Sequence, residues 1–178
     1  MIIAGTGHRP NKLALWGETP YSAEQNVRLL RFAENVLRHH QPSTVISGMA
    51  IGWDLAIAEA AKNLDIPFHA YIPFQGHELM WPVHTQLFYR ALLRHAQHTV
   101  ICSPGGFSKE AMQKRNMDMV DNCDFIVALW NGTKGGTGNC LNYAREIGRP
   151  FQNHWVEWVN FCDPQAPSFV MGEDWLTS

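Results

Sequence analysis

Short apolar runs that end in glycine-bearing turns, each followed by an amphipathic stretch, alternate along nearly the whole chain. This is the feature that most restricts the fold. The runs Ile2–Ala4, Thr44–Ser47, Phe68–Ile72, Thr99–Cys102, Phe125–Trp130 and Pro150–Trp155 read as strands. Between them, 22–39, 54–63, 83–95, 108–121 and 139–147 read as helices. Ser22 with Gln25, and Ser108, mark two helix starts, and Gly148 marks a stop. On the first long helix Val27, Leu30, Ala33 and Leu37 are expected to form the apolar face, and Leu87 and Ala91 lie along the third. Strand–helix alternation predicts a Rossmann-like α/β fold: one parallel sheet, helices on both faces, in a single domain over 1–155. The 178 residues, 46% hydrophobic, suffice for such a core. Residues 156–178 read as an irregular C-terminal tail whose tryptophans pack on the domain or on a neighbouring subunit.

In such sheets ligands sit beyond the carboxyl ends of the strands. Gly5-Thr6-Gly7-His8-Arg9-Pro10 follows the first strand, where glycine amides can turn to an anion and Arg9 can offer a planar fork. His8 could act as acid, base or phosphate donor. Ser47-Gly48 through Gly52-Trp53-Asp54 follows the second, with Gly48 and Gly52 permitting close approach. Asp54 is either an acceptor for ribose hydroxyls or an ordinary helix cap, and Trp53 packs or stacks. Lys114-Arg115-Asn116 with Met119 places Arg115 toward the loops while Met119 anchors in the core. Gly135-Gly136-Thr137-Gly138 opens a helix after the strongest strand, an arrangement of free amides and helix dipole suited to phosphate.

Other chemistry is excluded by spacing. There is no GxGxxG and no GK[ST]. The nine histidines show no metal-ligand spacing, and Cys102, Cys123, Cys140 and Cys162 read as buried free thiols. No metal and no cofactor are therefore expected. A net charge of −2 argues against nucleic acid as partner, and the start Met1-Ile2-Ile3 and the lack of long apolar runs argue against signal peptide and membrane. The expected setting is cytoplasmic.

Gly5-Thr6-Gly7-His8-Arg9, Val45-Ile46-Ser47-Gly48 through Asp54 with Ala58 and Ala61, Arg115-Asn116 with Met119, Asp124, and Gly136-Thr137 together resemble the SLOG superfamily of Rossmann-like nucleotide-binding proteins, in particular the YspA/YpsA-related group. The resemblance implies a nucleotide or nucleotide-derived phosphate ligand, held by a homo-oligomeric sensor or sequestering protein. One branch hydrolyses the N-glycosidic bond of nucleoside monophosphates with an arginine, matched by Arg115, and a glutamate. Cys140 stands where that glutamate would be, so the enzymatic alternative requires Asp54 or Glu78 in its place, with Arg115 and Asp54 as the catalytic pair.

Overall fold

The structure is a computed structural model that describes residues 1–163 and 165. Six parallel strands form one sheet: β1 (Ile2–Gly7), β2 (Thr44–Ser47), β3 (Phe68–Ile72), β4 (His98–Ile101), β5 (Phe125–Leu129) and β6 (Phe151–Asn153), in the order β4-β3-β2-β1-β5-β6. The helices are α1 (Pro10–Leu13), α2 (Ala23–His40), α3 (Trp53–Asn63), α4 (Val83–Leu93), α5 (Lys109–Asp121), α6 (Gly136–Glu146) and α7 (Trp155–Cys162). This is the expected Rossmann-like architecture.

The strand order dictates the layers. The chain steps in one direction from β1 to β4, so right-handed crossovers put α2, α3 and α4 on one face. It then returns across the sheet to β5, which puts α5 and α6 on the other. The larger core lies under α2, α3, α4 and α7 and contains Phe32, Trp53, Ile57, Phe68 and Trp158. The smaller core, under α5 and α6, contains Ile46, Met119, Ile126, Cys140 and Leu141.

Alanine-rich α3 buries one flank after another because it is wedged between α2 and the sheet. α2 starts at Ser22, whose Oγ accepts from Gln25 N at 3.1 Å, while Gln25 Oε1 accepts from Tyr21 N at 2.8 Å. Its buried stripe is Leu29, Phe32, Ala33, Val36 and Leu37, so the expected face was rotated: Val27 is exposed and Leu30 only half-buried. Phe32, which meets Trp53 and Trp158, sets that rotation. On α4 the buried residues are Tyr89 and Leu92, and Leu87 faces outward.

The segment after 155 is not irregular throughout. Trp155–Cys162 is a helix, and Trp158 is fully buried with Nε1 donating to Leu13 O at 3.2 Å. Pro164, Pro167, Glu173, Asp174 and Trp175 lie outside the described residues. All four cysteines are buried and free. Among the described residues no helix is long and apolar enough to cross a membrane.

Candidate functional site

β1 and β5 are neighbours whose following helices leave to opposite faces. A crevice opens at such a switch point. Here it forms a cavity of about 1450 Å³, lined by β1 and its loop (Thr6, Gly7, His8, Arg9, Lys12), by Ala50 and Asp54, by α5 with Arg115 and Asn116, and by Gly135, Gly136 and Thr137 of α6. Arg9, Asp54, Arg115 and Thr137, which are far apart in sequence, thus share one wall. Three of the four segments leave strand ends, and Arg115 comes from the middle of α5.

At the floor, Asp54 sits in the first turn of α3 without capping it, because Gly52 holds the cap position. Its carboxylate is 3.6 Å from Arg115 Nη1 and takes backbone hydrogen bonds from Ala50 and Gly7. Both side chains are buried. Burial outweighs these partners and raises the Asp54 pKa to about 6. Arg115 Nη1 also donates to Gly48 O, and Nε donates to Asn116 Oδ1 at 3.0 Å. Arg115 is also part of the cavity lining. Asn116 Nδ2 in turn donates to Gly136 O at 3.3 Å, which ties α5 to the start of α6.

The glycines divide by role. Gly5 and Gly7 belong to β1 itself, and a Cβ on Gly5 would come within 2.7 Å of Ile57, one on Gly7 within 2.6 Å of Trp53. They admit α3 against the sheet; Gly5 does not line the cavity, so its expected part in holding phosphate is corrected. A Cβ on Gly48 would meet the guanidinium of Arg115 and lie 2.7 Å from Asp54 Oδ2. Gly52, at φ 107°, faces the backbone of His8 and Arg9 and not the cavity, and Gly138 packs on the Trp130 ring. Gly135, at φ 151°, and Gly136 stand open at the start of α6, where no side chain supplies a cap.

His8 is buried, with Nε2 2.6 Å from Asn131 Oδ1 and 3.1 Å from Asn131 N. Burial lowers its pKa, so it rests neutral as a brace between the β1 and β5 loops. Trp53 is fully buried, with Nε1 donating to Val127 O at 3.3 Å, which removes it as a stacking platform. Glu78 pairs with Arg90 at 3.2 Å and is not part of the cavity wall. Cys140 is buried, its pKa pushed up to about 11 by burial, and it also does not line the cavity. Of the carboxyls considered from sequence, Asp54 alone reaches the site.

Sequence reasoning missed Lys12. Its Nζ donates to Thr133 Oγ1 at 2.9 Å and to Lys134 O at 3.4 Å, and it hangs over the start of α6. The signal was Pro10, a favoured first residue of a helix, which turns Lys12 back over the β5 loop. Phe107, exposed on the outer rim, was also missed. Among the described residues no cluster of His, Cys, Asp or Glu could hold a metal.

Several buried and half-buried groups bear on stability between pH 4 and 6.5. Burial lowers His40 and His77 to about 4, and lowers His8. The unfolded chain therefore binds protons in that window that the folded chain refuses, and stability falls on acidification from 6.5 to 4. Asp54 opposes this, because its folded form takes up a proton near pH 6 that the unfolded form takes only near 3.8. Urea unfolding free energies at pH 4.5–7.5 are expected to decline toward acid, and Asp54→Asn is expected to steepen the decline by about one proton. A flat profile would contradict this assignment.

No family model matches the chain. The SPbeta prophage-derived protein YoqJ of Bacillus subtilis (strain 168) is 31% identical over 136 residues, 67% of this chain and 79% of that protein. A UPF0398 protein of Bacillus cereus (strain B4264) is 22% identical over 185 aligned positions, 98% of this chain and 97% of the relative. Among solved structures, DNA processing protein A (DprA) of Streptococcus pneumoniae superposes with a TM-score of 0.59 at 18% identity, over 84% of this chain but only 48% of that one. DprA of Helicobacter pylori, known for its single-stranded DNA binding mode, gives 0.58 at 18% identity, over 85% of this chain and 63% of that one. TM1055 gives 0.55 at 12% identity, over 95% and 85%. These similarities fit a SLOG-type fold. By the identity and coverage of the first of these relatives, the chain belongs to the family of the Bacillus subtilis SPbeta prophage-derived protein YoqJ.

Proposed function

We propose that this protein binds a nucleotide or a nucleotide-derived phosphate compound in the switch-point cavity and acts as a sensor or sequestering protein, as in the YspA/YpsA-related group. The observation that carries this reading is the start of α6. Gly135, Gly136 and Thr137 present an uncapped helix N-terminus to the cavity, and Lys12 and Arg9 approach it from the β1 side. Amide donors, helix dipole and two cations together suit a phosphoryl group.

The charge pattern favours a discrete ligand over a polymer. Arg9, Lys12, Lys109, Lys114 and Arg115 line the cavity, but so do Asp54, Glu110, Asp118, Asp121 and Glu146, five of each sign. Lys114 is already neutralised by Asp118 at 2.7 Å. A nucleic-acid backbone would meet as much repulsion as attraction outside the inner end. DprA of Helicobacter pylori binds single-stranded DNA, so an oligonucleotide belongs in the test as a competitor.

Calorimetric titration with nucleoside mono- and diphosphates, cyclic nucleotides and a short single-stranded DNA tests the reading. At least one nucleotide should bind, and Lys12→Ala should weaken it by about tenfold, the loss of one charge-assisted contact. No heat from any nucleotide at millimolar concentration would refute it. The enzymatic alternative rests on Asp54, a deep carboxyl with a raised pKa beside Arg115. Its signature is free base released from a nucleoside monophosphate by the native protein and not by Asp54→Asn. Recovery of unchanged nucleotide from the complex speaks for the sensor.

A further inference from the structure

A row of aromatic rings leads from the core to the rim of the cavity. Tyr89 of α4 is buried, and its ring lies 5.1 Å from that of His77, edge to face. His77 meets Phe74 at 6.2 Å and 89°, and Phe74 meets Phe107 at 6.2 Å and 80°. Trp81 closes the inner end, 5.0 Å from His77 and 5.5 Å from Tyr89. Contacts of this kind are favourable and fix the orientation of the rings. Phe107, just ahead of α5, is thus braced from the core although it is itself 76% exposed among the described residues. Gly105 and Gly106 before it leave the approach open, since a Cβ on either would meet nothing within 4 Å. A scattered exposed phenylalanine needs no explanation, but one held by a row of rings at a cavity rim does.

Phe107 lines the same cavity as Gly135, Gly136 and Thr137. The two features are set apart along α5. Asn116 Nδ2 donates to Gly136 O at 3.3 Å, so Asn116 marks the level of the α6 start on that helix. From Asn116 back to Lys109, the first residue of α5, the helix rises by about 10 Å. Phe107 lies beyond that. The amide donors therefore hold the inner end of the cavity and the exposed ring its outer end. The volume, about 1450 Å³, exceeds the roughly 300–1,000 Å³ of ordinary small-molecule pockets, so a phosphoryl group at the inner end would leave most of it unfilled.

We infer that Phe107 is the platform on which the ligand's base stacks, so that a nucleotide lies with its phosphate on the α6 start and its base outermost. This rests on the nucleotide reading above and adds the direction in which the ligand lies and the class it belongs to. Stacking on an aromatic side chain is open to every base, because each has a π face, and its strength grows with the ring area covered. Purine nucleotides are therefore held more tightly than pyrimidine nucleotides with the same phosphates.

Calorimetric titration of the full chain with ADP, CDP and inorganic pyrophosphate decides the matter. ADP should bind more tightly than CDP. Phe107→Ala should weaken ADP by about tenfold and leave pyrophosphate, which has no base, unchanged. Phe107→Trp should keep the native affinity for ADP, and Phe107→Leu, apolar but without a ring, should not. Phe107 is exposed enough for all three variants to fold, which an unchanged far-ultraviolet circular dichroism spectrum checks. Equal binding of ADP by the native chain and Phe107→Ala would overturn the inference and leave the nucleotide reading standing. A gain in affinity would overturn it too, because another part of the chain would then occupy the ring. So would a matched loss for pyrophosphate, which would mean that Phe107 shapes the anion site. Binding of neither ADP nor CDP would also overturn it, and silence of the whole nucleotide panel would remove the wider reading as well.

Discussion

Replacing Arg115 by alanine is expected to cost about 3 kcal/mol of stability at pH 8 and to abolish ligand binding in the range where the native protein saturates. The guanidinium holds three elements together: the Gly48 carbonyl after β2, the Asp54 carboxylate on α3, and Asn116 on its own helix. Without it a buried carboxylate keeps only its backbone donors. The remedy open to the chain is to protonate Asp54. In the native protein burial already lifts this group to about 6 against the opposing pull of Arg115, so removing the arginine lifts it further. The folded variant then holds a proton that the unfolded chain releases above about 3.8, and its stability drops as pH rises through and beyond 6. The deficit relative to the native protein should therefore be more than about 1 kcal/mol smaller at pH 5.5 than at pH 8. Paired urea titrations measure it. An equal deficit at both pH values would mean that Asp54 is not the group Arg115 supports.

Gly52→Ala is the second large effect, and it arises in the backbone. At φ 107° an L-residue is strained, and the added Cβ would lie 2.5 Å from His8 O and 2.9 Å from Arg9 Cα. Both are main-chain atoms of the loop that braces the cavity, so no rotamer change relieves the clash. The expected loss is about 3 kcal/mol or more, about 6–12 °C in Tm for a domain of this size. Gly17→Ala separates the two causes. Gly17 also has a positive φ, 76°, but a Cβ there meets nothing within 4 Å, so only the conformational strain of about 1 kcal/mol applies. Thermal melts that shift equally for the two variants would show that the approach of α3 to the His8 loop contributes nothing.

Much of the fold was legible because the signals were local. Thr44–Ser47 and Phe68–Ile72 are β-branched and aromatic runs bounded by proline or glycine, and both strands have those limits. Ser108 caps its helix as its spacing demands, with Oγ accepting from Ala111 N at 2.9 Å. What escaped depends on partners remote in the chain. The rotation of α2 follows Phe32, whose neighbours Trp53 and Trp158 could not be foreseen from the helix alone. Gly5 and Gly7 looked like a phosphate loop because they follow an apolar run, yet both continue the strand and make room for Ile57 and Trp53, and of the two Gly7 alone also lines the cavity. Arg115 was expected to reach toward the loops, and it does, but much of its fork is spent on Gly48 and Asn116. Lys12 lay in a stretch with no periodicity to mark it.

The uneven layering has a dynamic consequence. Phe32, Trp53, Phe68 and Trp158 lie in the larger core beneath α2, α3 and α7, whereas the smaller core under α5 and α6 joins Ile46, Met119, Ile126 and Leu141 to small groups such as Ala4, Ala128, Cys140 and Ala144. Less apolar surface there means that transient opening requires less free energy on that side. The Arg115 contacts with Asp54 and the Gly48 carbonyl are then the latch that fastens this layer to the thick side, and Asn116 carries the hold on to Gly136. Any opening of the thin side has to part Arg115 from Asp54, so the ion pair at the floor of the cavity also sets how readily that side yields.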